Sequence, residues 1–161
     1  MTKEQFLRRT NSAWQMGFFL FWKLPAAWFM GISVRSCDGE SAVVALPYGW
    51  RSQNPFRSTY FAAQCAAGEL STGLLCLAHL QGRPPVSMLV TRVEAQFFKK
   101  ADATLLFTCS AGGEVAQVIE KTLQSGEAKV VRMVSEGHLP DGQLAAQVEI
   151  TWSFKAKKKQ E

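Results

Sequence analysis

Residues 54–80 read NPFRSTYFAAQCAAGELSTGLLCLAHL, and the rest of the chain has to be arranged around them. From Thr59 onward the stretch is rich in Ala, Leu and Cys and long enough for about six turns of helix at 3.6 residues per turn. Ser58 or Thr59 is placed to cap its start, and Gly82 with Pro84 and Pro85 to stop it. Its apolar residues run nearly all the way round, whereas a helix lying on a solvated surface keeps one polar face. The pattern therefore predicts a central helix wrapped by other elements. Glu69 is the single carboxylate in that length. Burying a carboxylate is costly unless it is hydrogen-bonded, paired or neutralised, so Glu69 is the first candidate for chemistry.

Outward from this helix the period of the sequence changes. On its N-terminal side, residues 32–37 (ISVRSC) and 41–48 (SAVVALPY) alternate with period two around Asp38-Gly39 and read as two strands joined by a tight turn. On its C-terminal side, residues 86–98 and 103–109 read as two further strands. Leu89, Thr91, Val93, Ala95 and Phe97 fall on one face of the first, opposite Arg92, Glu94 and Gln96. Residues 113–126 carry Val115, Val118, Ile119 and Leu123 at helical spacing, and 129–135 and 144–154 read as closing strands. Together these give one antiparallel sheet with a long helix, an α+β arrangement.

Residues 3–30 begin polar and turn strongly aromatic. Lys23 and Pro25 interrupt the apolar run and Trp28, Phe29 and Met30 resume it, which fits neither a secretory signal nor a membrane span. One or two amphipathic helices lying on the fold or on a partner subunit are expected, with a membrane-surface contact through the aromatics as the alternative. The expected division is a single domain over residues 1–161, with a helical extension (1–31), a core (32–155) and a basic tail (156–161).

The net charge of +5 and pI of about 9.2 favour anionic partners in a general way. The only basic cluster, Lys155, Lys157, Lys158 and Lys159, reads as a solvated end. No nucleic-acid recognition motif accompanies the charge, so nucleic acid is not expected as a partner. Cys37, Cys65, Cys76 and Cys109 form no C-x-x-C pair, and neither His79 nor His138 has zinc-like spacing, so no metal site is expected. The cysteines read as reduced core residues of a cytoplasmic protein, and a nucleophilic Cys65 would need a base that the sequence does not identify.

An antiparallel sheet around one long apolar helix resembles the hotdog fold. VTRVEAQFFKKADATLLFTCS is similar to the middle hairpin of hotdog thioesterases, and DGQLAAQVEITWSF to their closing strand. Thioesterases of the phenylacetyl-CoA type carry an Asn in the loop, a His-Gly-Gly helix start, and an Asp or Glu fifteen residues after the Asn. Asn54 and Glu69 stand at that separation, while Tyr60, Phe61 and Ala62 replace His-Gly-Gly. Loss of the glycines makes close approach of an acyl group to the backbone harder, although a first helical turn still leaves N–H groups unpaired. The resemblance covers residues 32–155; the N-terminal extension is similar to an uncharacterised branch of hotdog proteins.

The resemblance implies an acyl-CoA thioesterase in which Glu69 acts as general base or nucleophile and the N–H groups of Phe61 and Ala62 form an oxyanion hole. Asn54 would orient the carbonyl or the water, and Tyr60 or Thr72 would help hold the carboxylate or leaving group. Arg57, Arg92, Lys99 and Lys100 would meet the phosphates of coenzyme A, which enters as part of the substrate, with no separate cofactor. The acyl group can equally be delivered by a carrier protein. Carboxylate and oxyanion donors usually come from different subunits in such enzymes, which implies a homodimer and leaves a tetramer open.

Each residue also has a structural reading. Glu69 can be a satisfied acid at a dimer seam, Asn54-Pro55 a turn signal, Gln64 a core or interface amide, His138 a solvated turn residue, and Lys99 and Lys100 a charged strand edge. A non-catalytic hotdog dimer that binds an acyl chain or lipid is the competing reading of the whole. A hydratase is disfavoured because neither His falls near the helix start.

Overall fold

The chain opens with three helices, α1 (Lys3–Thr10), α2 (Ala13–Lys23) and α3 (Pro25–Phe29), one more than the sequence suggested. A capping box starts the first, with the Thr2 hydroxyl accepting from the Gln5 amide and the Gln5 side chain from the Thr2 amide. Pro25 starts the third, where its missing N–H would have had no helical partner. There follow β1 (Ser33–Cys37), β2 (Ala42–Leu46), α4 (Phe61–Leu80), β3 (Val86–Phe97), β4 (Leu105–Cys109), α5 (Gly112–Ser125), β5 (Lys129–His138) and β6 (Leu144–Ala156). The computed structural model describes residues 1–157; Lys158 and Lys159 of the expected basic tail lie outside the described residues, while Lys155 and Ala156 belong to β6.

The strands form one antiparallel sheet in the order β1-β2-β4-β5-β6-β3. Asp38 closes the β1–β2 turn by accepting the Glu40 and Ser41 amides, and Gly39 supplies the left-handed φ of 94°. α4 packs on β2, β4, β5 and β6. Its Ala63, Ala67, Leu74, Leu75 and Cys76 share one core with Val44, Leu105, Phe107, Met133, Val148, Ile150 and Phe154. By length and composition α4 would suffice to cross a membrane, yet 67% of its most apolar window is buried inside this fold. α5 adds Val115 and Ile119 to the same core.

Three features fix how α4 sits on the sheet. A Cβ on Gly68 would come within 2.7 Å of the Val148 Cβ, so the helix backbone rests directly on β6. The buried hydroxyls of Ser71 and Ser135 lie 2.7 Å apart, tying the helix to β5. The Trp152 indole donates to the Thr72 hydroxyl over 2.9 Å, and that hydroxyl donates to the Glu69 carbonyl. Two polar contacts and one close approach thus set the rotation of the helix about its axis.

β3 departs from the simple alternation expected of it. Val90 pairs with Trp152 but Arg92 with Thr151, so Thr91 is an extra residue, a β-bulge. Before it Met88 and Val90 point toward the helix side; after it Val93, Ala95 and Phe97 do, opposite the buried Ile150, Val148 and Ala146. Leu89 consequently faces outward and is 66% exposed. β3 is an edge strand, and its inward Val93 and Phe97 remain about half exposed.

Gly68→Ala should destabilise the fold by about 1–3 kcal/mol, since the backbone of β6 would have to give way. Gly17→Ala, in the middle of α2 with open space around it, should stabilise by about 0.5–1 kcal/mol. Urea unfolding of the two variants checks both signs.

Candidate active site

Neither Ser58 nor Thr59 caps α4, contrary to expectation. The Thr59 amide and hydroxyl both donate to the Ala101 carbonyl, tying the loop before the helix to the β3–β4 connection. The Ser58 hydroxyl is turned to Asn54. Tyr60 is left as N-cap without a side-chain bond. Its carbonyl accepts from Ala63 and Gln64, so among the described residues the N–H groups of Phe61 and Ala62 have no acceptor. Two free donors therefore stand at the positive end of a twenty-residue helix. The rings of Tyr60 and Phe61 meet edge to face, with centroids 4.8 Å apart, and both are exposed.

Asn54 organises its own loop. Its Oδ1 accepts from the Phe56 and Ser58 amides and its Nδ2 donates to the Ser58 hydroxyl, closing the turn in which Arg57 takes a φ of 56°. The side chain anticipated to orient a carbonyl is thus engaged in shaping the approach to the helix.

Glu69 lies on a partly exposed strip of α4, with Phe61, Ala62, Cys65 and Ala66. These positions recur three or four residues apart, the spacing of one helix face. Oε1 lies 3.6 Å from where a Cβ on Gly73 would be, and the edge of the Trp152 ring 3.4 Å from the same point. The carboxylate accepts no hydrogen bond and forms no ion pair among the described residues. Burial alone pushes its pKa above the ordinary carboxylate value, because the ionised form loses water and gains no partner. Thr72 does not hold the carboxylate; its hydroxyl is committed to Trp152 and the Glu69 carbonyl. The Cys65 thiol, one turn away, is also pushed up by burial and stays protonated at neutral pH.

The helix start and Glu69 share a face, but seven residues at 1.5 Å separate Ala62 from Glu69 by about 10 Å along the axis. A carbonyl near 3 Å from its donors, attacked by a water that a carboxylate holds on the other side, spans roughly 8–9 Å from donor to carboxylate.

Of the basic candidates, Lys99 and Lys100 sit in the connection that Thr59 binds and Arg57 in the loop before the helix, so all three flank the helix start. Arg92 points to the outer face of the sheet and is paired with Glu94, away from the site. His138 is on β5 near Glu136. The Gln64 amide is buried and donates to the Thr59 carbonyl. Among the described residues no group of three His, Cys, Asp or Glu is placed to hold a metal. Trp152, whose ring lies against Gly73 one turn after Glu69, carries no motif; its place at an inward position of the last strand was the only signal for it.

A six-stranded antiparallel sheet wrapped around one central helix, with a carboxylate on the helix's open strip, is the hotdog fold. The chain belongs to the family described as "Domain of unknown function (DUF4442)", whose model matches residues 13–154. Among solved structures it is similar to a Pseudomonas aeruginosa protein of unknown function described as a probable thioesterase. That match has 13% identity and a TM-score of 0.73, covering 89% of this chain and 95% of the other. A Haemophilus influenzae thioesterase matches with 11% identity and a TM-score of 0.64, over 93% of this chain and 95% of that one. A Staphylococcus aureus thioesterase matches with 15% identity and a TM-score of 0.58, over 78% and 94%. The Staphylococcus protein was solved with a glutamine, and separately a glutamate fifteen positions later, changed to alanine. At these identities the likeness establishes the fold. No curated protein matches the chain.

Because the folded state raises the Glu69 pKa, folding is favoured by the protonated form, and stability falls as pH rises from the unfolded carboxylate value of about 4.3 through the folded one. Glu69→Gln should match the wild type in stability below that window and exceed it above, as read from urea unfolding across pH.

Proposed function

We propose that this protein hydrolyses acyl thioesters, with Glu69 as general base and the N–H groups of Phe61 and Ala62 of a second copy as the oxyanion hole. The observation that carries the reading is the unpaired, partly buried Glu69 carboxylate on a helix whose first two N–H groups are free. The separation of Asn54 and Glu69 equals that of the two residues replaced in the Staphylococcus thioesterase, which supports the same assignment.

Two features support a homodimer. β3 is a twelve-residue edge strand with an unpaired ladder, and its inward Val93 and Phe97 lie half bare. A second copy paired along β3 covers both and carries its own helix start toward Glu69. Glu69 then takes a proton from water as the water oxygen bonds to the carbonyl carbon. The Phe61 and Ala62 amides stabilise the oxyanion, and the thiolate leaves and is protonated as the carboxylic acid is released. Direct attack by Glu69 through an anhydride is the variant mechanism. Arg57, Lys99 and Lys100 lie on either side of the helix start and would meet the phosphates of coenzyme A or of a carrier's phosphopantetheine as the arm leads away from it. Arg92 has no part in this reading, and Asn54 acts by shaping the loop. Four unbridged cysteines agree with a reducing, cytoplasmic setting.

A second reading, a dimer that binds an acyl chain or lipid without turning it over, is favoured by the Tyr60–Phe61 pair at the place where glycines would leave the donors open.

Assayed on short, long and aromatic acyl-CoA substrates, Glu69→Gln should lower kcat by about 10²–10⁴-fold. The acid limb of the wild-type pH profile should lie above the ordinary carboxylate range. Saturable acyl-CoA binding with no turnover on any substrate would establish the second reading instead. Val93→Lys should turn a dimer into a monomer by light scattering and abolish turnover with it.

A further inference from the structure

The N-terminal helices present a surface that the thioesterase reading does not use. On α2, Trp14, Phe18 and Trp22 are 81%, 65% and 69% exposed, while Met16 and Leu20 on the opposite side are buried in the core. The spacing of four residues places the three on one face. The apolar surface continues through Phe21, which meets Trp28 of α3 edge to face at 5.0 Å, and through Phe29, which meets Trp50 of the following loop at 5.8 Å. An apolar cleft between α1, α2 and α4, lined by Phe6, Trp14, Phe18, Phe19, Leu74 and Leu77, opens on it. Monomeric proteins rarely leave an apolar surface of this extent bare.

Charge decides what covers it. From Gln5 to Cys37 the chain carries Arg8, Arg9, Lys23 and Arg35 and no carboxylate, and from Ser41 to Gly68 it carries Arg51 and Arg57 and again none. Arg9 borders the cleft with Trp14, and Arg51 borders a second cleft with Trp28. Among the described residues none of Arg8, Arg9, Lys23 and Arg51 is in an ion pair. A second copy docked here by a twofold axis would set this unpaired positive charge against itself, because such an interface places the same patch on both sides. An anionic bilayer takes both components, since Trp and Phe rings settle at the headgroup level while arginines meet lipid phosphates. α2 has eleven residues, about 16 Å, against a hydrocarbon core of about 30 Å, so it lies on a membrane and does not span it. α2 also packs on β1, at the opposite edge of the sheet from β3, which leaves the proposed dimer seam free.

We propose that the α2–α3 face, with Trp50 and Arg51, is a docking surface for anionic phospholipid membranes. The test is sedimentation of the full chain with vesicles of phosphatidylcholine alone or mixed with phosphatidylglycerol. It needs no catalytic activity and so stands or falls separately from the thioesterase reading. The protein should sediment with the anionic vesicles and stay in solution with phosphatidylcholine, and added salt should release it. Trp14→Ala with Trp22→Ala should lower the bound fraction by about tenfold or more. Arg8→Glu with Arg9→Glu should do the same while leaving the exposed rings in place. All four positions are exposed, and circular dichroism shows whether the variants remain folded. Failure to sediment with anionic vesicles would overturn the proposal, as would binding indifferent to both pairs of changes. A fall in oligomer size in the tryptophan variant would overturn it too, by assigning the face to another copy of the chain.

Discussion

A twenty-residue helix that is apolar almost all round has to be enclosed, and one sheet cannot close completely around it. That constraint governs this molecule. Four strands and α5 cover most of α4, the edge strands β1 and β3 touch it only at their margins, and one strip of the helix stays open. Glu69, the only full charge on α4, lies on that strip. Its environment is set from behind: Gly68 lets the helix rest on Val148, and the Ser71–Ser135 and Thr72–Trp152 contacts stop it from rolling. A small rotation would carry the carboxylate into the core or out into water, where its raised pKa would be lost.

The architecture was largely legible because its signals are periodic. The all-round apolar helix, the Asp38-Gly39 turn and the alternation of β6 each follow from one physical rule, and the helical spacing of Val115, Val118 and Ile119 correctly implied α5. What escaped was nonperiodic or distant in sequence. Thr59 looked like a cap until the Ala101 carbonyl, forty-two residues on, claimed both its donors. The bulge at Thr91 reversed the two faces of β3 halfway along, so Leu89 could not be told from an inward residue by parity alone.

The site was legible in the same unequal way. Glu69 stood out because a carboxylate in an apolar helix is costly, an argument that needs no partner to be known. Asn54 and Arg92 were harder, since a polar side chain with several donors or acceptors is satisfied by whatever lies near it. In the fold these were the Ser58 hydroxyl and the Phe56 and Ser58 amides for one and Glu94 for the other. Trp152, whose ring approaches Gly73 as Glu69 Oε1 does and whose indole holds Thr72, comes from the far end of the chain and is found only when β6 is laid against α4.

Ala62 and Glu69 stand about 10 Å apart along one helix, and the proposed chemistry takes oxyanion donors and carboxylate from two chains, each supplying half a site. A mixing experiment tests this directly. Phe61→Pro removes one donor at the first helical position, where proline is tolerated and the preceding Tyr60 is already extended, and Glu69→Gln removes the base. Each variant alone should be inactive. If the halves come from different subunits, unfolding and refolding the two together should restore roughly a quarter of wild-type turnover, because random pairing gives half heterodimers with one intact site in each. A mixture as inactive as its parents, with heterodimers demonstrably formed, would contradict the account.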